Sequence, residues 1–198
     1  MSREWDYIQT TYTFRLLKEY RIRNFFETGT FEGNTSLFFN DLGFNVYTAE
    51  NNHERVELCR KKFRGTDIEL YEGDSVEYLR QFLTRDVSDV FYYLDAHERG
   101  DKIPLKQELQ LLFTQPKFLA MVHDVSVPNQ PQFTHGQDVS DGFHSTEIPN
   151  DVVRIYPKYI TTPNPYLKTR TVGYCILTKG YPIVCDGNFT IICKGCES

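Results

Sequence analysis

Two short strings bring acids and imidazoles together: LDAH at residues 94–97 and HD at residues 123–124. Both close apolar runs, VFYYLDA at 90–96 and FLAMVHDV at 118–125, of the length and composition of buried strands. If the two strands are neighbours, Asp95, His123 and Asp124 converge at their ends, and two carboxylates with one imidazole make a divalent-metal site. An imidazole in that set suits manganese, iron, nickel or zinc better than magnesium. His97 adds a group whose ordinary pKa of about 6.5 lets it take a hydroxyl proton at neutral pH. Structural roles fit the same histidines: His123 as a strand-end residue bonded to backbone, His97 as a helix cap or as a group orienting a ligand.

A second set of residues suits a nucleotide-like ligand. The run NFFETGT at 24–30 leads into Glu27, Gly29 and Gly33 in the spacing ExGxxxG, where glycine lets the chain turn sharply and approach a ligand closely. A plain tight turn would look the same. Counting from Gly29, Phe31 and Asn34 stand where a nicotinamide-binding GxGxxG would have its other glycines, which argues against a dehydrogenase. Glu50 follows about twenty residues later at a strand end, where a carboxylate can accept from both ribose hydroxyls or simply be a solvated charge. Asp74 and Ser75 follow Gly73, and Asp74 could accept from an exocyclic amine; either residue would also serve as a helix N-cap.

These residues need a scaffold of alternating strands and helices. A leading helix is expected over 5–20, and helices over 34–42, 52–63, 75–82 and 105–113 alternate with strand runs at 24–30, broken by Gly29, and at 45–50, 68–73, 90–96 and 118–125. Five strands in such alternation imply a parallel sheet covered on both faces, with ligands at the carboxyl ends of the strands. From Ser126 to about Asn150 the pattern fails, and a long irregular excursion is expected. Three further strand candidates follow, at 152–157, 171–180 and 188–195, and the pattern does not say which of them complete the sheet.

The chain of 198 residues, 40% hydrophobic and 15% aromatic, can bury one substantial core, so a single domain is the expectation. A net charge of −5 without a Lys/Arg block argues against nucleic acid as a partner. The absence of an apolar run of membrane-spanning length, and of a signal-peptide pattern at the start, leads to the expectation of a cytoplasmic protein with no membrane partner. Cys59 and Cys175 sit in apolar patterns and read as structural. Cys185, Cys193 and Cys196 in the tail provide a single CxxC pair, short of the four ligands of a zinc site.

The strings ETGTFEGNTS, YTAEN, YEGDS, FYYLDAH and MVHDV, in this order over residues 24–128, resemble the successive motifs of class I S-adenosylmethionine-dependent methyltransferases. Within that class, Phe31 between the glycines resembles the catechol O-methyltransferases and the macrolide and aminocoumarin sugar O-methyltransferases. The resemblance implies an α/β Rossmann-like fold with a seven-stranded, mostly parallel sheet whose last strand is antiparallel. It divides the chain into a leading helix (1–23), a cofactor-binding core (24–125), an acceptor-side loop (126–150) and C-terminal strands (151–198). It implies S-adenosylmethionine held by Glu27, Gly29, Thr30, Phe31, Gly33, Glu50, Asn51, Asp74, Ser75 and Asp95, with the methionine part at the glycines, ribose at Glu50 and adenine near Asp74 and Ser75. It also implies a divalent metal on Asp95, His123 and Asp124, magnesium as in the sugar enzymes or, with His123 in the set, manganese or another transition metal, with Asp95 and His97 catalytic and His97 as general base.

His123 departs from the acidic residue those enzymes carry, and Glu98 stands where the catechol enzymes have lysine. The implied activity is methyl transfer to a hydroxyl of a sugar or glycosylated metabolite, with a small-molecule or saccharide acceptor and self-association into a homo-oligomer compatible. A metal-dependent hydroxylase-like relative and a non-catalytic S-adenosylmethionine-binding protein are the competing expectations.

Overall fold

The computed structural model describes residues 7–96, 103–127, 137–157, 173–183 and 189–192. In chain order the elements are α1 (Tyr7–Glu19), β1 (Asn24–Thr28), α2 (Asn34–Asp41), β2 (Asn45–Glu50), α3 (His53–Lys62), β3 (Glu69–Glu72) and α4 (Ser75–Phe82). Then come β4 (Val90–Leu94), α5 (Leu105–Phe113), β5 (Phe118–His123), α6 (Gln137–His144), β6 (Val153–Pro157), β7 (Tyr174–Lys179) and β8 (Phe189–Ile192). One sheet contains all the described strands in the order β3-β2-β1-β4-β5-β7-β6-β8. Strands β1 to β5 are parallel, and β7 pairs antiparallel with both β5 and β6.

The expected five-strand parallel core is therefore present, and two expectations are corrected. Among the described residues the sheet has eight strands rather than seven, because all three late candidates enter it. β8 lies antiparallel along β6, from Arg154 opposite Ile192 to Pro157 opposite Phe189, and so pairs backbone groups that would otherwise line an open edge. The excursion after Val125 is not wholly irregular, since α6 lies within it and packs on α5. Its apolar residues Val139 and Phe143 are only an i, i+4 pair in a polar segment containing Gly142, too sparse to register as a helical stripe. Phe143 is nevertheless fully buried.

Burial on both faces explains why β4 and β5 read as continuous apolar runs. Along β4, Val90, Tyr92 and Leu94 join the core beneath α4 and α5, while Phe91 and Tyr93 join the core beneath α1 and α2. β5 splits in the same way, with Phe118, Ala120 and Val122 on one side and Leu119 and Met121 on the other. The α2 side is sealed by Phe25 and Phe39, whose rings stack 3.8 Å apart. Among the described residues, no helix is long and apolar enough to cross a membrane.

At the amino ends of the strands Asp89 ties three elements together. Its Oδ1 accepts from Lys117 Nζ at 3.0 Å and from Tyr181 Oη at 3.2 Å, and its carbonyl accepts from the Arg23 N–H at 3.4 Å. The Lys117 ammonium holds the Asp89 carboxyl below its ordinary value, with the Tyr181 and Ser88 hydroxyls assisting. A folded-state pKa lowered in this way adds stability above the unfolded-state value and loses it as pH falls through the folded-state value. Asp89 also has φ 51°, a conformation that asparagine tolerates, so Asp89→Asn isolates the charge. Because both partners of the ion pair are about half exposed, Asp89→Asn should cost only about 0.2–1 kcal/mol in denaturant unfolding at neutral pH. That difference should vanish below the carboxylate range; a deficit that persists in acid would assign the effect to shape.

Candidate active site

The parallel register sets the strand mouths side by side. Thr28 pairs with Ala49 and with Leu94, Glu50 with Glu72, and Leu94 with Val122. Gly29, Asn51, Gly73, Asp95 and His123 therefore lie along one edge of the sheet. The chain changes direction between β1 and β4, which makes the crevice there the expected ligand site.

The turn after β1 is built from two glycines for two different reasons. Gly29, at φ 81°, packs against the mouth of β4: a Cβ there would lie 2.8 Å from the Asp95 carbonyl oxygen and 2.9 Å from Ala96 Cα. Gly33, at φ 72°, has the Phe63 ring 2.6 Å and Cys59 Sγ 3.2 Å from where its Cβ would be. The N–H groups of Gly29 and Thr30 both donate to the Ala49 carbonyl, each at 3.0 Å, which holds the turn to β2. Phe31 between the glycines has φ 51° and a half-exposed ring, with the Arg55 guanidinium 4.5 Å above it.

Glu50 is 4% exposed, and each of its oxygens accepts one backbone N–H. Oε2 takes Phe31 at 2.8 Å and Oε1 takes Asn52 at 2.9 Å. A carboxylate has about four acceptor sites, so capacity for two hydroxyl donors remains. Asn51 beside it is exposed, and Asn52 caps α3 by accepting from the Arg55 N–H at 3.1 Å. Nearby, the bond to Glu72 at 2.6 Å raises the pKa of His53, and Glu72 also accepts from Arg60.

Glu27 lies beneath the turn, 2% exposed, where its Oε2 accepts from Ser36 Oγ at 2.5 Å and Thr48 Oγ1 at 2.9 Å. Thr48 shares a 2.6 Å bond with Thr30. Neither Ser36 nor Thr48 carries a signal of its own in the sequence; Thr48 is the register partner of Glu27, which becomes readable only once β1 and β2 are aligned. At the mouth of β3, Asp74 is the N-cap of α4, accepting from the Glu77 N–H at 2.8 Å, so its capping role is realised. Ser75 Oγ donates to Glu108 Oε1 at 2.6 Å. Arg55, His53 and Glu108 also gave no sequence signal.

The structure brings Asp95, His123 and Asp124 together. His123 Nδ1 stands 3.2 Å from Asp95 Oδ1 and 3.4 Å from Asp124 Oδ1, and one donor atom from each of the three residues fits within 4.8 Å. The imidazole thus faces two carboxylates, over the Tyr93 ring at 5.8 Å. Asp95 is anchored by its N–H to the Thr28 carbonyl at 3.2 Å, and Asp124 adopts φ 59°, a strained conformation for a non-glycine residue. Two carboxylates and an imidazole gathered at this spacing fit a divalent cation. His97, together with Cys185, Cys193 and Cys196, lies outside the described residues. Cys59 and Cys175 are buried thiols, as expected; burial pushes Cys59 up to about 11, so it stays protonated at neutral pH.

No family model and no curated protein matches the chain. Solved structures do. An O-methyltransferase from Bacillus cereus in complex with SAH superposes with a TM-score of 0.63 at 15% identity, over 90% of this chain and 84% of that one. The O-methyltransferase TomG from Streptomyces achromogenes, involved in tomaymycin synthesis and solved with SAM, gives 0.61 at 17% identity over 88% and 81%. SAH-bound PaMTH1, a methyltransferase from Podospora anserina, gives 0.59 at 12% identity over 88% and 79%. The chain has the Rossmann-like methyltransferase fold.

In this methyltransferase fold the absence of a side chain at Gly29 is what lets the mouths of β1 and β4 close on each other, and Gly43 provides the control. Gly43 also has a positive φ of 81° but nothing within 4 Å of its missing Cβ. Gly43→Ala should cost only the conformational strain, about 1–2 kcal/mol. Gly29→Ala should cost about 1–3 kcal/mol more for overpacking. Equal losses in urea unfolding would refute the close-approach role.

Proposed function

We propose that the chain is an S-adenosylmethionine-dependent O-methyltransferase that acts, with a divalent cation, on a hydroxyl of a sugar or glycosylated metabolite. The observation that carries this reading is the cluster Asp95–His123–Asp124 at the mouths of β4 and β5, beside the Gly29 turn, in a methyltransferase fold. The saccharide acceptor rests on the motif resemblance to sugar enzymes and on the Asn, Gln, Asp and His content of residues 126–150.

The turn from Gly29 to Gly33 would hold the methionine part of the cofactor. Glu50 would accept from the ribose hydroxyls with the capacity its two backbone bonds leave. Asn51, Asp74 and Ser75 would border the adenine. S-adenosylmethionine would supply the methyl group, and a cation on Asp95, His123 and Asp124 would supply positive charge that makes the acceptor hydroxyl more acidic. His97 would take the hydroxyl proton as general base, contributing roughly a hundredfold to ten-thousandfold in rate. Asp95 would serve both halves of the site, because its backbone touches the cofactor turn and its side chain belongs to the metal cluster.

Calorimetry with S-adenosylhomocysteine tests the first half. Wild type should bind, and Glu50→Ala should lose about 1.5–3 kcal/mol, roughly ten- to hundredfold in affinity. Unchanged affinity in a folded variant would remove Glu50 from the cofactor site. Metal content and methyl transfer to a panel of glycosides test the second half. Asp95→Ala and Asp124→Ala should each lose bound manganese and activity, whereas His97→Ala should keep the metal and lose turnover. Full activity in excess chelator would overturn the metal-assisted mechanism, and cofactor binding without transfer to any hydroxyl acceptor would favour a binding protein.

A further inference from the structure

Glu108 is a carboxylate 1% exposed, on the first turn of α5 between Leu105 and Leu109, both part of the apolar core beneath α4 and α5. A carboxylate in such surroundings is costly unless it is hydrogen-bonded. Its bond from Ser75 Oγ, at 2.6 Å, is not needed to start α4, because Asp74 already caps that helix. Ser75 is also on the rim of the ligand crevice. It stands two residues after Gly73, whose N–H donates to the Glu50 carbonyl at 2.9 Å, and it retains 8% exposure.

The direction of the bond has a chemical consequence. A hydroxyl has one hydrogen and two lone pairs, and a carboxylate accepts only. Once the Ser75 hydrogen is committed to Glu108, Ser75 Oγ can only accept from anything that reaches it in the crevice. A 6-aminopurine offers a donor at that position, and a 6-oxopurine offers an acceptor, which would face lone pairs. We propose that Glu108 is a positioning residue that fixes the Ser75 hydroxyl as an acceptor and so makes the site select adenine over hypoxanthine in the cofactor. This rests on the reading of the crevice as an S-adenosylmethionine site.

The test compares the affinity of the full chain for S-adenosylhomocysteine and for its 6-oxo analogue, S-inosylhomocysteine. Wild type should prefer the amino form about five- to hundredfold, as expected when a mismatched ligand leaves a buried polar group unpaired. Glu108→Met replaces the carboxylate with an apolar chain of similar length suited to the surrounding leucines. It frees the hydroxyl to donate or accept, so the preference should collapse toward unity. Ser75→Ala should also collapse it, and provides the measurement if Glu108→Met does not fold. A purely structural role for Glu108 would weaken both ligands by the same factor. A preference retained in either variant, or absent from wild type, overturns the proposal. Wild type that binds neither ligand overturns the methyltransferase reading itself, and this inference with it.

Discussion

The absence of a side chain at Gly29 is the constraint on which the rest of the site depends. It allows the turn after β1 to press against the backbone of Asp95 and Ala96, while the Asp95 N–H bonds back to Thr28. The turn that would hold the cofactor and the first residue of the candidate metal cluster are thus one packed unit. A shift of either is a shift of both, which matters in chemistry where misplacement by about 1 Å can cost a hundredfold in rate.

Polar contacts beneath and beside the turn then give it a single shape. Glu27, Ser36, Thr48 and Thr30 form a buried network under it, and Glu50 clamps the N–H groups of Phe31 and Asn52 from one side. Phe31 sits at positive φ with its N–H held by Glu50 and its carbonyl by the Cys59 thiol. Glu50 therefore serves the architecture: the same carboxylate that would read ribose shapes the loop opposite it. Such groups persist in strained conformations where the surroundings over-determine them.

Much of this was legible in the sequence. Burial on both faces gives β4 and β5 uninterrupted apolar runs, while β1, β2 and β3 are legible from shorter runs in regular alternation with α2 to α5. Gly29, Glu50, Asp95, His123 and Asp124 stood out because strand ends are where an open parallel sheet puts its chemistry. What could not be read was partnership. Ser36 lies nine residues from Glu27, Thr48 twenty-one, and Glu108 thirty-three from Ser75, and no periodicity in a single chain links them. The same limit hid α6 and left open which of the late strand candidates join the sheet, because their places are set by the flank of α5 and the edge of β6. It also left Asp74 open between capping and ligand contact, of which the capping bond is present.

The Cys59 thiol is fully buried, donates to the Phe31 carbonyl, and faces the space where a Gly33 side chain would be. It stays protonated at neutral pH and has no path to reagent while the turn is closed. Alkylation at this position must wait for the turn to lift away from α3. The labelling rate of one native cysteine is therefore a clock for local opening of the loop, readable in the unmodified protein without any probe being introduced.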